Sequence, residues 1–426
     1  MSATKGKVLI LGADGFIGRH LAFGLRAAGW KVLASARRVR RLERMGFETL
    51  NANLTAGQSA DPEYWRPQLS DVTHVVNAAG VLAAPRAVSK SVHVTAPSAI
   101  YRALPNGAKG VLISAVGIEG AQTDFARYRL SGEEVAQAHG ITPLRVGLVL
   151  GETSYGGSSL ARALSALPWV LPVVGRGQQV FNPIHAADLA HVVEHLLCHP
   201  ASGIQEIGGP EEVTQADMLQ GFRGWLGLPR AWVVPLPVWL CRAMGRVGDA
   251  MRLGPISLTA VAQLEAGVLA TPSRSLQDIP DPPRGFSTFL SARPAGTQDL
   301  WHARLYLMRP ALRVVLALMW LVSGVIGLTQ PATDFLPLVA GSGVPDTLLI
   351  WLARLGGAAD LVIALALLRG WRPRLLALVQ AAMVLGYTAA FTLLAPALWL
   401  LPLGGLLKNL PILALIALLC VLEDER

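Results

Sequence analysis

The sequence predicts an α/β fold with a doubly wound parallel sheet, followed by an all-α bundle of four transmembrane helices. Short apolar runs alternate with helical stretches over about 150 residues, which is typical of strands joined by crossover helices. A glycine-rich turn separates the first apolar run from the first helical stretch. The last quarter of the chain contains four apolar segments, each long enough to cross a bilayer.

The glycine-rich turn follows the first predicted strand, Lys7–Leu11, and precedes a stretch with apolar residues at helical spacing. Its glycines are spaced G-x-x-G-x-x-G, which differs from the common G-x-G-x-x-G fingerprint. Glycines here let the backbone approach a pyrophosphate, and the helix presents free N–H groups to it. The pattern predicts a dinucleotide site with these contacts: Gly12, Asp14, Gly15, Phe16, Ile17 and Gly18.

The end of the second predicted strand, Lys31–Ala36, distinguishes the two nicotinamide cofactors. A carboxylate at this point binds the ribose 2′-hydroxyl of NAD, whereas an arginine pairs with the 2′-phosphate of NADP. The chain has no acidic residue there and continues with Arg37 and Arg38. We therefore predict that Arg37 and Arg38 bind NADP in preference to NAD, while Arg40 and Arg41 lie on a solvated helix face.

Four more strands are predicted at 47–50, 73–80, 110–114 and 144–151. Asn53 and Leu54, after the third strand, are predicted to lie beside the adenine. The fourth strand ends in a turn of small residues, as needed where backbone passes a cofactor: Ala78, Ala79 and Gly80. The fifth strand ends at the hydroxyl of Ser114. In such sheets, ligands bind beyond the carboxyl ends of the strands.

Composition excludes several classes of protein. With 52% hydrophobic and 15% charged residues, the chain is too apolar for an ordinary soluble enzyme. The net charge is +9, but no basic stripe with interleaved aromatics predicts nucleic-acid binding. The three cysteines are too far apart for a metal site or a disulfide framework. Because no signal-peptide core precedes the first strand, we expect the N-terminal domain to stay in the cytoplasm.

Several motifs over residues 5–250 resemble the short-chain dehydrogenase/reductase superfamily, in its extended or atypical branch. They are most similar to members related to the nucleotide-binding accessory subunit of respiratory complex I. The resemblance implies a Rossmann-type fold, a nicotinamide cofactor and oxidoreductase or epimerase/dehydratase kinship. The matching stretches are Gly12–Gly18, Asn77–Gly80, Ser114, Leu144–Val146, Asn182–Ala190 and Glu206–Pro210.

The chemistry of that family uses a tyrosine as general acid or base and a lysine four residues later. Two alignments are open here. Either Tyr128 is the tyrosine and Gly132 replaces the lysine, or Phe125 replaces the tyrosine and Arg129 the lysine. The pair is broken in both, since phenylalanine transfers no proton and glycine carries no charge. The remaining candidate catalytic residues are Ser114, which would polarise a carbonyl, with Tyr128 and Arg129.

Two residues are predicted as helix N-caps rather than as catalytic groups. Asp188, close to His185, precedes an apolar helical stretch, and Thr214 precedes an amphipathic helix over Val213–Leu228.

Residues 229–310 form a bridge between the nucleotide half and the membrane quarter, giving predicted domains at 1–228, 229–310 and 311–426. Tryptophans and aliphatic residues stand beside arginines at 232–252, which suits either a segment on the bilayer surface or a lid over the substrate cleft. Residues 271–300, rich in proline, serine and aspartate, are predicted as a linker or loop.

The four apolar segments are at 311–329, 347–368, 375–395 and 398–422. Arginines flank the first segment and fill the second loop, whereas the first loop carries only Asp334 and Asp346. Positively charged loops stay inside. We therefore predict a multi-pass protein of the cell inner membrane with the nucleotide domain and both termini in the cytoplasm. The orienting arginines are Arg304, Arg309, Arg313, Arg369, Arg372 and Arg374.

The membrane quarter resembles the DoxX-like family of four-helix membrane domains over residues 305–422, through Arg354–Asp360 and Gly404–Pro411. The resemblance implies a link to membrane redox chemistry, sometimes with quinones. Asp360 is an ionisable residue near the middle of its segment, and such residues usually have a purpose. Arg354 is poorly placed to pair with it, so Lys408 is the predicted partner, in a structural ion pair or in a site for a quinone or proton.

These observations leave two main hypotheses. The first is an inner-membrane oxidoreductase that uses NADPH with a small lipophilic carbonyl or quinone, in contact with membrane lipid and a possible membrane redox partner. The second is a non-catalytic nucleotide sensor or assembly factor of a membrane redox complex, in keeping with the broken catalytic pair. A third, a transferase or epimerase of a membrane-linked sugar, rests on superfamily kinship alone.

Overall fold

The computed structural model of the chain describes residues 5–120, 122–266 and 268–423. The chain divides into two compact units. The first runs through to Ala303 except for residues 250–253, and the second comprises those four residues and the chain from Arg304 onward.

The described part of the first unit contains a central sheet and three two-stranded pairings. In chain order the strands are β1 Lys7–Leu11, β2 Lys31–Ala36, β3 Glu48–Asn51, β4 His74–Asn77, β5 Lys109–Ala115, β6 Ile141–Val146, β7 Val149–Leu150, β8 Val170–Val174, β9 Val180–Phe181, β10 Ile184–His185, β11 Gln205–Ile207, β12 Val213–Thr214 and β13 Trp232–Leu236.

Helices surround the sheet and continue to the end of the first unit. They are α1 Phe16–Ala27, α2 Arg40–Arg44, α3 Pro62–Trp65, α4 Arg86–Lys90, α5 Ala96–Ala103, α6 Asp124–Ala138, α7 Gly157–Ser165, α8 Ala186–Cys198, α9 Gln215–Trp225, α10 Val238–Met251, α11 Leu258–Ala266, α12 Phe286–Ser291 and α13 Thr297–Tyr306. Shorter 3₁₀ turns lie at Gly57–Ala60, Arg66–Gln68 and Arg274–Leu276, and a π-helical turn at Ser91–Thr95.

The central sheet has seven strands in the order β11-β6-β5-β4-β1-β2-β3, and every pairing is parallel. The predicted doubly wound parallel sheet is therefore confirmed. The strand order reverses at β1, where Leu11 lies between Ser35 of β2 and Asn77 of β4. Ligands of open α/β sheets bind at such a reversal, beyond the carboxyl ends of the strands.

Both faces of the sheet are buried, which explains why β1 is a continuous apolar run. Val8 and Ile10 point into one core, formed with the apolar sides of α1 and α8. Leu9 and Leu11 point into the opposite core, which contains Trp65. Since successive side chains of a strand alternate between faces, each core receives every second residue.

Two details of the first unit differ from the sequence-based expectations. The sixth strand divides into β6 and β7, with Gly147 between them. Asp188 does not cap its helix, because the His185 side chain accepts the Ala187 N–H instead. Asp188 lies one turn inside α8 and pairs with Arg284 at 2.8 Å. Thr214, by contrast, caps α9 as predicted and accepts the N–H of Asp217.

The predicted bridge contains regular structure. β13, α10 and α11 occupy much of 232–266, and α12 and the start of α13 lie within the stretch predicted as a linker or loop. The chain from Gly254 to Ala303 belongs to the first compact unit. The domain limits at residues 228 and 310 stay predictions.

The second unit is helical, with α14 Met308–Thr329, α15 Ala332–Phe335, α16 Asp346–Leu368, α17 Pro373–Leu394 and α18 Asn409–Leu422. Four stretches within the described residues are long and apolar enough to span a bilayer, so the chain is a multi-pass membrane protein. The fourth, Gly404–Leu422, begins in 3₁₀ turns, in the part of the chain where the sequence places Pro402 and Pro411. Gly404 and Gly405 have φ of +94° and +37° there, which interrupts the regular helix.

The predicted ion pair between Asp360 and Lys408 is wrong. The Asp360 carboxylate is buried and accepts hydrogen bonds from Ser323 Oγ at 2.6 Å and Tyr387 OH at 3.1 Å. Lys408 is exposed. Arg354, as expected, does not pair with Asp360; its guanidinium donates to backbone carbonyls at the end of α14, including that of Gly327.

Arg313, predicted to be a loop-flanking charge, lies inside α14 instead. It is buried and pairs with Glu423, with 2.6 Å between Nη2 and Oε2. This ion pair joins the start of the first span to the end of the fourth, so both lie at the same end of the bundle.

Candidate functional site

The glycine loop after β1 passes very close to the turn after β4. Gly12 has φ +75°, and a Cβ there would lie 2.9 Å from the Cα of Ala79. A Cβ on Gly18 would lie 2.1 Å from the carbonyl oxygen of Gly12. The Ala13 N–H donates to the Ser35 carbonyl of β2 at 2.9 Å. The loop therefore needs glycine at both positions, and three strands hold it in place.

The N-terminus of α1 opens onto this loop. Gly15 is the N-cap and provides no side-chain cap, so the first N–H groups of the helix are available to a ligand. Asp14 and Gly15 are exposed, whereas Phe16 and Ile17 are half-buried. A helix N-terminus beside a glycine loop binds phosphate through these N–H groups. The residues present fit the pyrophosphate of a dinucleotide.

Arg37 and Arg38 follow β2 at the same edge of the sheet. Both side chains are exposed, and neither bonds to another residue in the described part of the chain. Asn53 and Leu54 lie just beyond β3. Leu54 is buried, and the Asn53 Oδ1 accepts hydrogen bonds from the backbone and hydroxyl of Thr55. The structure thus gathers the residues predicted for the adenosine end of the cofactor along one edge.

The turn after β4 is fixed by a buried asparagine. Asn77 donates to the Tyr101 hydroxyl at 2.9 Å and accepts the Ala79 N–H at 3.1 Å. The Ala78 N–H donates to the Leu11 carbonyl at 3.0 Å. Gly80 is exposed at the end of the turn. The backbone of this turn therefore stays beside the glycine loop.

Arg129 of α6 lies against this turn. Its Nη1 is 3.5 Å from the Ala79 carbonyl oxygen, and a Cβ on Gly80 would lie 2.6 Å from its Nη2. Burial lowers the pKa of Arg129 to about 10, so the guanidinium remains charged at neutral pH. Its Nε is buried without a hydrogen-bond partner within the described residues. The site thus contains a cation with unused hydrogen-bonding capacity.

The two alignments of α6 have different geometries. Phe125 is buried on the same side of the helix as Arg129, whose Cζ is 5.6 Å from the Phe125 ring centroid. Gly132 lies farther along this side, packed against the backbone of His93. Tyr128 is half-buried and makes no hydrogen bond to any residue in the described ranges. The geometry favours the alignment in which Phe125 and Arg129 replace tyrosine and lysine.

Ser114 is directed away from a substrate role. Its hydroxyl donates to the buried Glu133 carboxylate at 2.5 Å. Glu133 also pairs with Arg145 at 2.8 Å, and Arg145 pairs with Glu119 at 2.7 Å. The hydroxyl proton is therefore bound inside this network, and the role of Ser114 toward a substrate carbonyl stays a prediction.

A cleft of about 460 Å³ opens beside Phe125. Its walls come from the segment after β4, from the start of α6 and from the bridge helices α10 and α11. Arg242 of α10 forms a two-pronged ion pair with Glu265 of α11, with contacts of 3.0 to 3.3 Å. The bridge helices thus line the cleft, and the choice between a lid and a bilayer-surface segment stays a prediction.

Sequence analysis missed His93. This residue is buried in the π-helical turn, with its Nε2 3.2 Å from the Val81 carbonyl oxygen and its ring 6.1 Å from that of Phe125. Burial, aided by the positive charge of Arg129, lowers the pKa of His93 to about 3, so the imidazole is neutral. π-Helical turns often occur at functional sites, but no sequence pattern predicts where one will form.

Two family models match the chain. The NAD dependent epimerase/dehydratase family matches residues 8–101, and the DoxX-like family matches residues 317–417. The chain joins an NAD(P)-binding epimerase/dehydratase domain to a DoxX-like membrane domain. The first match covers the glycine loop and the Asn77–Gly80 turn, and the second covers most of the transmembrane bundle. No curated protein matches the chain.

Solved structures resemble the epimerase/dehydratase domain in fold. One is MoeE5 in complex with UDP-glucose and NAD, 18% identical, which covers 70% of this chain and 99% of its own with a TM-score of 0.51. A UDP-glucose 4-epimerase from Thermus thermophilus in complex with NAD is 21% identical and covers 54% of this chain and 86% of its own, with a TM-score of 0.44. At 18% identity the likeness to MoeE5 shows the fold alone.

Proposed function

We propose that this protein is a membrane-anchored oxidoreductase that binds NADPH and reduces a small lipophilic acceptor, a carbonyl compound or a quinone. The observation that carries the proposal is the position of Arg129, a charged and incompletely bonded side chain against the Ala79–Gly80 turn. That position suits a cation that binds ribose hydroxyls beside the reacting end of a dinucleotide.

NADP is proposed in preference to NAD. MoeE5 and the Thermus epimerase were solved in complex with NAD, which is the alternative cofactor. In this chain β2 ends without a carboxylate, and Arg37 and Arg38 are exposed beyond it. A 2′-phosphate meets two cations there and no like charge, which favours NADP.

The residues of the site orient the cofactor and the acceptor but do not supply a general acid. When bound, the nicotinamide supplies a hydride to an acceptor. Phe125 cannot donate a proton, and the Ser114 proton is bound to Glu133. Arg129 would orient the ribose and place positive charge beside the acceptor. The proton that completes the reduction comes from water in the cleft, a requirement that a quinone meets more readily than an ordinary carbonyl.

The charges in the cleft favour a substrate without a diphosphate over a nucleotide sugar. Leu82, Leu258 and Phe125 contribute apolar walls. Among the described lining residues Arg242 is the only cation, and Glu265 already neutralises it. A nucleotide diphosphate would therefore enter without a free positive charge to pair with it. Tethering by the DoxX-like domain would keep the cleft near substrates that partition into lipid.

The second candidate is a nucleotide sensor or assembly factor of a membrane redox complex. The same missing proton donor favours it, since binding needs only the glycine loop, the arginines and the Ala78–Gly80 turn. In both cases we propose an inner-membrane location with the nucleotide domain and both termini in the cytoplasm, supported by the arginines flanking the spans.

NADPH consumption separates the two candidates. The full chain, purified in detergent or nanodiscs, is mixed with NADPH and a short-chain quinone or aldehyde, and the NADPH absorbance is followed. An oxidoreductase consumes NADPH only when the acceptor is present. NADPH binding without consumption across both acceptor classes would contradict the enzyme and support the sensor. Gly15→Val, which blocks the pyrophosphate loop, provides the background rate.

A further inference from the structure

The first unit has three exposed tryptophans, one just before β8, one on the neighbouring strand β13 and one on the helix α10 that follows. Trp169, Trp232 and Trp239 are 77%, 79% and 70% exposed. β13 pairs with β8, and the Trp232 N–H donates to the Trp169 carbonyl at 2.9 Å. Exposed aliphatic residues accompany the tryptophans. We define the tryptophan face as Trp169, Val170, Trp232, Trp239 and Val247.

Two glycines determine which side of α10 contributes to this face. A Cβ on Gly248 would lie 1.9 Å from the Ile256 carbonyl oxygen, and one on Gly245 would lie 2.9 Å from the Leu258 nitrogen. The glycine side of the helix is therefore pressed against the chain at 256–258. Trp239 and Val247 lie away from that side and are exposed. Close packing on one side leaves these apolar residues outside.

The backbone at Trp169 is strained. Its φ of +59° is an uncommon and strained conformation for a residue with a side chain. The strained residue leaves its indole almost fully exposed. Since a contiguous apolar surface normally marks an interaction site, the exposed indole points to a partner outside the first unit's own core.

Unpaired cations surround the tryptophan face. Arg176 follows β8, Arg230 precedes β13, and Arg246 lies on the exposed side of α10. All three are exposed, and none has a hydrogen bond or ion pair within the described ranges of the chain. Tryptophan prefers the level of lipid headgroups, and arginine beside it pairs with their phosphates.

We propose that the tryptophan face lies in the cytoplasmic interface of the membrane that the DoxX-like domain spans, with the three arginines on anionic lipid headgroups. The first span begins at Met308, only a few residues after Ala303, so the chain itself keeps this unit near a bilayer. The proposal rests on the membrane spans and not on the oxidoreductase function.

The proposal also assigns a role to α10. One side of this helix carries Trp239, and Arg242 lines the cleft. If the tryptophan face is embedded at headgroup depth, the cleft lies beside the lipid, and a lipophilic molecule can enter it without crossing water.

The test uses the full chain with Cys198 replaced by serine, reconstituted in nanodiscs of phosphatidylcholine and phosphatidylglycerol. Trp169→Cys, Trp232→Cys and Trp239→Cys are labelled separately with an NBD fluorophore. Gln137→Cys, on the exposed side of α6, is the control, and a chain without an introduced cysteine corrects for label at the two remaining cysteines. NADPH binding verifies that each variant is folded.

We expect a blue shift of NBD emission at the three tryptophan positions and a loss of intensity when doxyl-labelled lipid is included, with neither effect at Gln137. Water-like emission would overturn the proposal. A blue shift without quenching by doxyl lipid would show that protein covers the face, such as a second copy, and would also overturn it. Equal quenching of NBD by doxyl lipid in nanodiscs of phosphatidylcholine alone would show that the arginines do not bind anionic headgroups.

Discussion

The Ser114 hydroxyl donates a 2.5 Å hydrogen bond to Oε1 of Glu133. Ser114 lies at the carboxyl end of the central strand β5, where a catalytic group is expected. Its hydroxyl is bonded instead to a buried network of charged side chains. Glu133 needs this support, because a buried carboxylate is costly unless its oxygens are paired and hydrogen-bonded. The Ser114 proton is therefore bound within this network rather than directed at the nucleotide site.

Replacing Arg37 tests the choice of cofactor. Arg37→Ala is expected to weaken NADPH binding more than NADH binding, because the charge-assisted bonds to a 2′-phosphate contribute about 1.5–3 kcal/mol. Titration of each nucleotide against the full chain measures the difference. Arg40→Ala, on the exposed side of α2, is the matched control and should leave the preference unchanged. Equal losses for both nucleotides with Arg37→Ala would contradict NADP selectivity.

Replacing Gly15 tests the phosphate loop. Gly15→Val is expected to abolish binding of either nucleotide, because the Cβ already lies 3.2 Å from the Gly12 carbonyl oxygen and the branches extend over the exposed helix N-terminus. Gly57→Val is a suitable control, since a Cβ there meets nothing within 4 Å. Retained NADPH affinity in Gly15→Val would place the cofactor elsewhere.

The roles of Tyr128 and Arg129 are distinguished by measuring both the rate of NADPH oxidation and the affinity for NADPH. Tyr128→Phe should keep any NADPH oxidation within a few-fold of the unaltered chain, whereas a positioned acid typically contributes about 10² to 10⁴ in rate. Arg129→Met should weaken NADPH binding, because it removes the cation at the Ala79–Gly80 turn. A large loss of kcat in Tyr128→Phe with unchanged NADPH affinity would identify Tyr128 as the catalytic acid.

The buried His93 predicts a dependence of stability on pH. Its pKa is about 3 in the folded chain against an ordinary 6.5, so the unfolded chain binds the extra proton between those values. Stability is fully present above about pH 6.5 and is lost as the pH falls toward 3. In thermal unfolding of the first unit, His93→Asn should show a smaller decline over this range. Burial also lowers the pKa of His20, His74 and His185, so some decline remains. An unchanged slope would show that His93 does not contribute.

Reporter fusions test the orientation in the membrane. A reporter after Arg426 is expected to be active only if it works in the cytoplasm, and one in the 330–346 loop only if it works outside, because the arginine-rich ends and second loop stay inside. A fusion at Arg372 should behave like the C-terminal one and serves as the control. The reverse pattern would overturn both the orientation and the cytoplasmic nucleotide domain.

The sequence by itself determined the fold classes and the nucleotide loop. The pattern and the length of the apolar segments decide those features. Short continuous apolar strands predict a parallel sheet that is buried on both faces. Apolar segments long enough to span a bilayer predict the membrane helices. Glycine is required at positions 12 and 18 because the backbone there approaches its neighbours too closely for any side chain. All of these depend on local chemistry that a sequence displays directly.

Only the tertiary structure decided which side chains meet. It directed Ser114 to Glu133, placed Arg129 rather than Gly132 at the Ala79–Gly80 turn, and gave Asp360 two hydroxyl partners in place of Lys408. Each outcome depends on helix rotation and on contacts between residues far apart in the chain. Charge and spacing limit the possible partners of a buried polar group, but packing selects among them, because an unpaired buried group is too costly to leave.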